Sequence, residues 1–177
     1  AVVKLTGAYY NNQTKLITLT GPITGVKDEY NFKADYGEIE TEKENMKISN
    51  NVMLYTEENR ITCDELFYEG AKDTLFINSK YQPTITLTGT DYRVTTKRAE
   101  YKVSTNTLTI PEPYEGYWQE SVIKGKKAVM NTKTQKGYSE FIDVKKENNY
   151  FYADYLDFDL ALKKHNFRRN IRGVYGD

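Results

Sequence analysis

Cysteine, histidine and tryptophan each occur once in the 177 residues. A lone Cys63 excludes an internal disulfide and any Cys-rich zinc site. A lone His165 excludes every motif that needs two histidines and leaves one candidate for a His-based triad. It lies among basic residues, with no acid at a fixed spacing. Net charge is lacking too, since 25 Lys and Arg balance 25 Asp and Glu. A general polyanion binder needs a basic surplus, so nucleic acid is not an expected partner. No run of 18 apolar residues could span a membrane as a helix. No signal-peptide core, P-loop, Gly-rich phosphate loop or nucleophile elbow is present. Apolar helix formers are scarce, with Ala, Leu and Met totalling 22.

What is abundant points the other way. Val, Ile, Thr, Tyr, Phe and Trp make up 65 residues, more than a third of the chain. These side chains suit a pleated, half-buried surface, and the expected class is all-β. Period-2 alternation recurs in Phe32-Ala34-Tyr36, Ile85-Leu87, Lys97-Ala99-Tyr101-Val103 and Leu108-Ile110. Turn signals fall at Asn11-Asn12, Gly21-Pro22, Asn50-Asn51, Glu58-Asn59, Thr105-Asn106 and Asn148-Asn149. Strands spaced in this way fit a sandwich, a jelly roll or a solenoid within one domain, residues 1–177. Asp157 to Lys164 reads as either a short helix or a strand.

A unit of small residue, polar residue and apolar residue recurs. Its clearest copies are Ala8-Tyr9-Tyr10, Ala34-Asp35-Tyr36, Ala99-Glu100-Tyr101 and Ala153-Asp154-Tyr155, with weaker ones at Cys63 and Ala128. Several are followed by strands such as Ile17-Thr18-Leu19, Met46-Lys47-Ile48 and Leu75-Phe76-Ile77. A two-strand unit cannot bury its own apolar face, so successive units stack and share a core. Alternating small and large inward residues build a narrow, tapering interior.

These residues resemble the OstA-like family of periplasmic lipopolysaccharide-transport proteins. Ile61-Thr62-Cys63-Asp64-Glu65-Leu66-Phe67-Tyr68 and Arg98-Ala99-Glu100-Tyr101 resemble the first half of its repeat. Met46-Lys47-Ile48-Ser49-Asn50-Asn51-Val52 resembles the second half, with Asn50 in place of the usual Gly. Phe151-Tyr152-Ala153-Asp154-Tyr155, with Asn170-Ile171 further on, resembles a last unit. The likeness runs over about residues 5–175, and residues 111–150 depart from the pattern.

The resemblance implies a twisted, V-shaped β-jelly roll, no enzymatic activity and no cofactor. It implies lipopolysaccharide as ligand, with the lipid A acyl chains held between two sheets. Implied partners are other OstA-like proteins, joined edge strand to edge strand, and an inner-membrane ABC transporter. The implied location is periplasmic, in a soluble form or in a form anchored through a segment upstream of Ala1.

On this reading Ala34, Tyr36, Ile48, Ile61, Cys63, Ile85, Leu87, Ala99, Tyr101, Ile110, Ala153 and Tyr155 line one interior. A plain dry core is the alternative, with Cys63 serving as a small hydrophobe. Lys163, Lys164, Arg168, Arg169 and Arg172 are the candidate contacts for lipid phosphates or an acidic partner. A solvated strand face is the alternative for them. Residues 28–73 hold 13 acids and 5 bases, while 74–177 hold 12 acids and 17 bases, so acidic and basic ends could meet in an assembly. Period 2 places Asp157 and Asp159 on one face and Asp154 on the other. Trp118 with Tyr114 and Tyr117 either stacks a sugar ring or anchors a loop. Two rival functions follow: a β-solenoid adhesin or surface structural protein, and a carbohydrate-binding jelly roll.

Overall fold

The computed structural model describes residues 2–27, 30–57, 59–79, 85–89 and 92–176. Every regular element among them is a strand except one 3-10 turn, Gly70–Lys72. The chain divides into two compact units, residues 1–90 and 91–177.

The first unit holds β1 (Val2–Lys4), β2 (Gly7–Asn11), β3 (Leu16–Lys27), β4 (Tyr30–Glu40), β5 (Asn45–Tyr55), β6 (Arg60–Glu69), β7 (Thr74–Asn78) and β8 (Ile85–Thr88). All strand pairings among the described residues of this unit are antiparallel. One row runs β2, β3, β4, β5, β6, β7 through one half of each long strand. The other halves carry β1 on β3 and β8 on β6. Each long strand therefore serves two half-sheets.

The second unit holds β9 (Tyr92–Thr96), β10 (Arg98–Lys102), β11 (Thr107–Ile110), β12 (Tyr114–Trp118), β13 (Ser121–Gly125), β14 (Lys127–Asn131), β15 (Lys136–Lys146), β16 (Asn149–Asp159), β17 (Lys164–Arg168) and β18 (Arg172–Val174). It repeats the plan. One half-sheet runs β9, β12, β13, β15, β16, β18. The other runs β10, β11, β14, β15, β16, β17. Residues 111–150, where the sequence repeat fades, keep this order.

What joins the two half-sheets is a kink in the middle of each long strand. The register shifts between Thr20 and Ile23, between Lys33 and Tyr36, and between Ser49 and Val52. Strands that pass from one sheet to another do so through bulges or bends of this kind. The kinks use left-handed backbone: Gly21 has φ 87, Asn50 φ 64, Asn51 φ 53, Arg169 φ 61 and Asn170 φ 43. Gly and Asn adopt that region most cheaply. At Gly21 a Cβ would also lie 2.4 Å from Thr6 Cβ. Gly21-Pro22 and Asn50-Asn51 are thus not turns between strands, as expected, but bulges inside β3 and β5. Asn12, Thr105-Asn106 and Asn148 do lie in turns, and Glu58 is outside the described residues. The stretch from Asp157 to Lys164 is neither one helix nor one strand; a turn after Asp159 separates β16 from β17.

Each kink moves the inward alternation by one residue. Buried positions then recur three apart: Ala34 and Gly37, Cys63 and Leu66, Thr96 and Ala99, Ser139 and Ile142, Ala153 and Leu156. Two successive outward residues lie between them. The first of the two in three of these strands is an aspartate, and each accepts a hydrogen bond from a neighbouring segment: the β5 bulge, the residue after β7, and the left-handed stretch between β17 and β18. Asn51 Nδ2 donates to Asp35 at 2.5 Å, Ser79 Oγ to Asp64 at 3.0 Å and Asn170 Nδ2 to Asp154 at 2.7 Å. The small-plus-acid pair of the sequence repeat is therefore a structural device. The small residue sits inside the kink and the acid braces the neighbouring segment.

Asn51→Ala should cost about 1–2 kcal/mol, from one lost hydrogen bond and an alanine held at positive φ. Asn51→Gly should cost less, because only the bond is lost. Urea unfolding of both variants checks this, and an Asn51→Ala protein as stable as the parent would contradict it.

Candidate functional site

The expected interior residues fall in two sets. In the first unit Ala34, Ile48, Cys63, Ile85 and Leu87 are buried and Ile61 is half-buried. Ile23, Val52, Leu66 and Ile77 join them. In the second unit Ala99, Ile110 and Ala153 are buried and Tyr101 is half-buried. Tyr101 keeps the parity of Ala99, and its hydroxyl donates to Asn106 Oδ1 at 3.2 Å.

Tyr36 and Tyr155 do not share that interior. Both follow a kink and point outward. The Tyr36 hydroxyl donates to Glu38 Oε1 at 2.7 Å. Tyr155 lies under the guanidinium of Arg169, 5.1 Å from its ring centre. The four Ala-x-Tyr copies therefore share letters but not positions: Ala8, expected inward, is exposed together with Tyr9 and Tyr10. Ala34 and Ala153 sit just before a kink, whereas Ala99 sits after one, in the place of Gly37, Leu66 and Leu156.

The same phase change corrects the aspartates. Asp154, Asp157 and Asp159 all lie outward, because the kink at Asp154 removes the expected opposition of faces. They do not converge. Asp154 serves its bulge, Asp157 takes both Nε and a terminal nitrogen of Arg168 at 2.6 and 2.7 Å, and Asp159 pairs with Lys136 at 3.2 Å. The Leu162 amide and Lys136 hold the Asp159 carboxyl below its usual range. Among the described residues no group of three or more His, Cys, Asp or Glu is arranged to hold a metal ion.

The basic C-terminal residues are dispersed rather than clustered. Lys163 lies in the turn, Lys164 sits opposite Asp159, and Arg168 is neutralised by Asp157. Arg169 covers Tyr155, and Arg172 stands opposite Tyr152 in β16. Among the described residues no carboxylate pairs with Arg172. It borders an open depression of about 420 Å³ lined by Tyr152, Asp154, Asn170 and Arg172. The sequence showed Arg172 only as one cation among five.

Trp118 and its neighbouring tyrosines anchor structure. The Trp118 ring lies 4.5 Å from the His165 ring. Tyr114 reaches inside, its hydroxyl 2.8 Å from Ser139 Oγ, and Ser139 in turn donates to the Lys127 carbonyl at 2.7 Å. Nothing in the pattern of apolar residues marks Ser139 or Thr96 as core, yet both are buried. Tyr117 is exposed and donates to Glu115. Burial pushes the Cys63 thiol up to about 12, so it is protonated at neutral pH. Burial also lowers the pKa of His165.

No protein-family model matches the sequence, and no curated protein matches it. Thirteen solved chains match in structure. One is LptH from Pseudomonas aeruginosa, described as the LptA-homologous periplasmic component of the lipopolysaccharide transport device. That superposition covers 84% of this chain and 95% of LptH, with 11% identity and a TM-score of 0.34.

Two outcomes follow from the interior. Cys63 should resist thiol reagents in the folded protein and react fully in denaturant; labelling at the rate of a free thiol without denaturant would contradict its burial. His165 binds a proton less readily folded than unfolded, so its contribution to stability is present above the unfolded pKa near 6.5. That contribution falls as pH drops through the lower folded value. Melting temperature should decline between pH 7.5 and 5, and the decline should be smaller in His165→Gln.

Proposed function

We propose that this chain is a non-enzymatic carrier of lipopolysaccharide that holds lipid A acyl chains against the inward faces of its kinked strands. The observation that carries the reading is the repeated kink itself. At five of them a small side chain, Ala34, Cys63, Thr96, Ser139 or Ala153, occupies the inward position beside larger apolar residues. Small residues along a fold line leave room for a ligand where two half-sheets part. The family resemblance of the same repeats supports it.

The energetics are favourable. Burying one CH₂ is worth about 0.8 kcal/mol, so a chain of a dozen carbons gains roughly 10 kcal/mol when fully covered. The mechanism is passive shielding, and directional drive comes from an ABC transporter elsewhere. In this reading residues 1–177 act as one V-shaped jelly-roll domain in the periplasm. No helix among the described residues is long and apolar enough to cross a membrane.

Partners of the same family would pair with the terminal strands. Val2, Val3, Tyr9 and Tyr10 are exposed on or beside β1 and β2, and Ile171, Val174 and Tyr175 beside β18. Apolar edge strands are templates for another chain. A second reading, a solid β-rod with a surface structural role, is favoured by the complete burial of Ile85, Ala99, Ile142 and Ala153.

Photo-crosslinking separates the two. A benzoyl-phenylalanine at Tyr101, half-buried and inward, should capture lipopolysaccharide in cells. The same residue at Tyr36, outward beside Glu38, should not. Capture at neither position, or only at Tyr36, would sink the carrier reading.

A further inference from the structure

The brace between an aspartate and a neighbouring segment recurs, but its last copy is elaborated. In β4 and β5 the flanking outward pair is Lys33 opposite Met53. In β16 and β18 the equivalent pair is Tyr152 opposite Arg172. There the Tyr152 hydroxyl donates to Asp154 Oδ1 at 3.1 Å, while Asn170 Nδ2 holds Asp154 Oδ2 at 2.7 Å. These four side chains line the open depression of about 420 Å³. Such a brace requires only the aspartate and the amide. It does not account for the phenol, a guanidinium with no carboxylate partner among the described residues, or the hollow.

The strand beside it is also unusual. The pairs Glu140 with Tyr155 and Ile142 with Ala153 place Phe141 opposite Asp154. Phe141 has φ 53 and is 41% exposed, with Lys126 Nζ 4.3 Å from its ring centre. A bulky aromatic in left-handed backbone is uncommon and costs energy, and such strain concentrates where a surface is used.

We propose that this depression is a subsite for a neutral pyranose, reading two adjacent hydroxyls. The chemistry selects that class. Asp154 is a carboxylate fixed in orientation by two donors, with lone pairs left to accept from hydroxyls. Arg172 supplies a planar fork of donors beside it. Tyr152 provides aromatic surface for the C–H face of a ring. A phosphate would gain Arg172 but face the Asp154 carboxylate, whereas a neutral hydroxyl pair can donate to Asp154 and accept from Arg172. The subsite goes beyond the carrier reading and does not depend on an acyl-binding interior.

The test is a titration of the ¹⁵N-labelled full chain, followed by amide shifts. The probes are methyl α-D-glucopyranoside, methyl α-D-mannopyranoside and sodium phosphate. At least one glycoside should produce saturable shifts at residues 152–154 and 169–173, and phosphate should not. Arg172→Ala and Tyr152→Ala should each weaken that binding at least tenfold while leaving the rest of the spectrum in place. Three results would overturn the proposal: no saturable shift with either glycoside, shifts that both variants leave unchanged, or saturation of these amides by phosphate alone. Should Tyr152→Ala disturb the fold, Tyr152→Phe removes only the hydroxyl and must still weaken the glycoside.

Discussion

Everything in this molecule depends on the kink that each long strand makes halfway along its length. A strand with unbroken alternation serves one sheet. Two consecutive outward residues, or two consecutive left-handed residues, let it serve two half-sheets and keep an apolar face inward in both. Asn50 and Asn51 make the break in β5 with φ 64 and 53, and Asp35 of β4 holds it from the side. Asn170 and Asp154 do the same in the second unit. A left-handed asparagine costs less than other side chains there. A carboxylate accepting its amide adds a charge-assisted bond where the ladder is interrupted.

The kinks also decide what the interior is made of. Beside the fold line the inward residues in five strands are small: Ala34, Cys63, Thr96, Ser139 and Ala153. Larger apolar side chains stand across the kink from them, as at Leu66 and Leu156, or further along, as at Ile77 and Ile110. Where a polar residue enters, its bonds are met. Ser139 donates to a carbonyl and meets Tyr114, and Thr96 Oγ1 donates to the Arg98 carbonyl at 3.3 Å. Among the described residues no buried side-chain nitrogen or oxygen lacks a partner. Cys63 behaves as a small apolar residue in the same place, its thiol kept protonated by burial.

The all-β class was legible in composition, and the strands at Ile85–Thr88 and Thr107–Ile110 in simple alternation. The repeat was legible as letters but not as positions. Ala34-Asp35-Tyr36 and Ala99-Glu100-Tyr101 read alike, yet a kink after Ala34 turns Tyr36 outward while Tyr101 stays in phase with Ala99. Period-2 reasoning assumes an unbroken strand, and a bulge within it reverses every later assignment. That is why Tyr155 and Asp154 were also misplaced. Gly21-Pro22 and Asn50-Asn51 carry turn chemistry because a bulge and a turn need the same left-handed backbone. Only pairing across strands separates the two. The Tyr152, Asp154, Asn170 and Arg172 depression was illegible for a related reason, since it assembles residues from β16, the bulge and β18.

The carrier reading joins these points: a fold line of small residues, apolar flanks and terminal strands with exposed apolar side chains. Its central claim is that the acyl chains, rather than the saccharide, are what the interior holds. Native mass spectrometry of the full chain tests this most directly, with a lipopolysaccharide lacking its polysaccharide compared with the same molecule after complete deacylation. The account predicts a one-to-one complex with the acylated form and none of comparable strength with the deacylated one. Equal retention of both, or of neither, would contradict it.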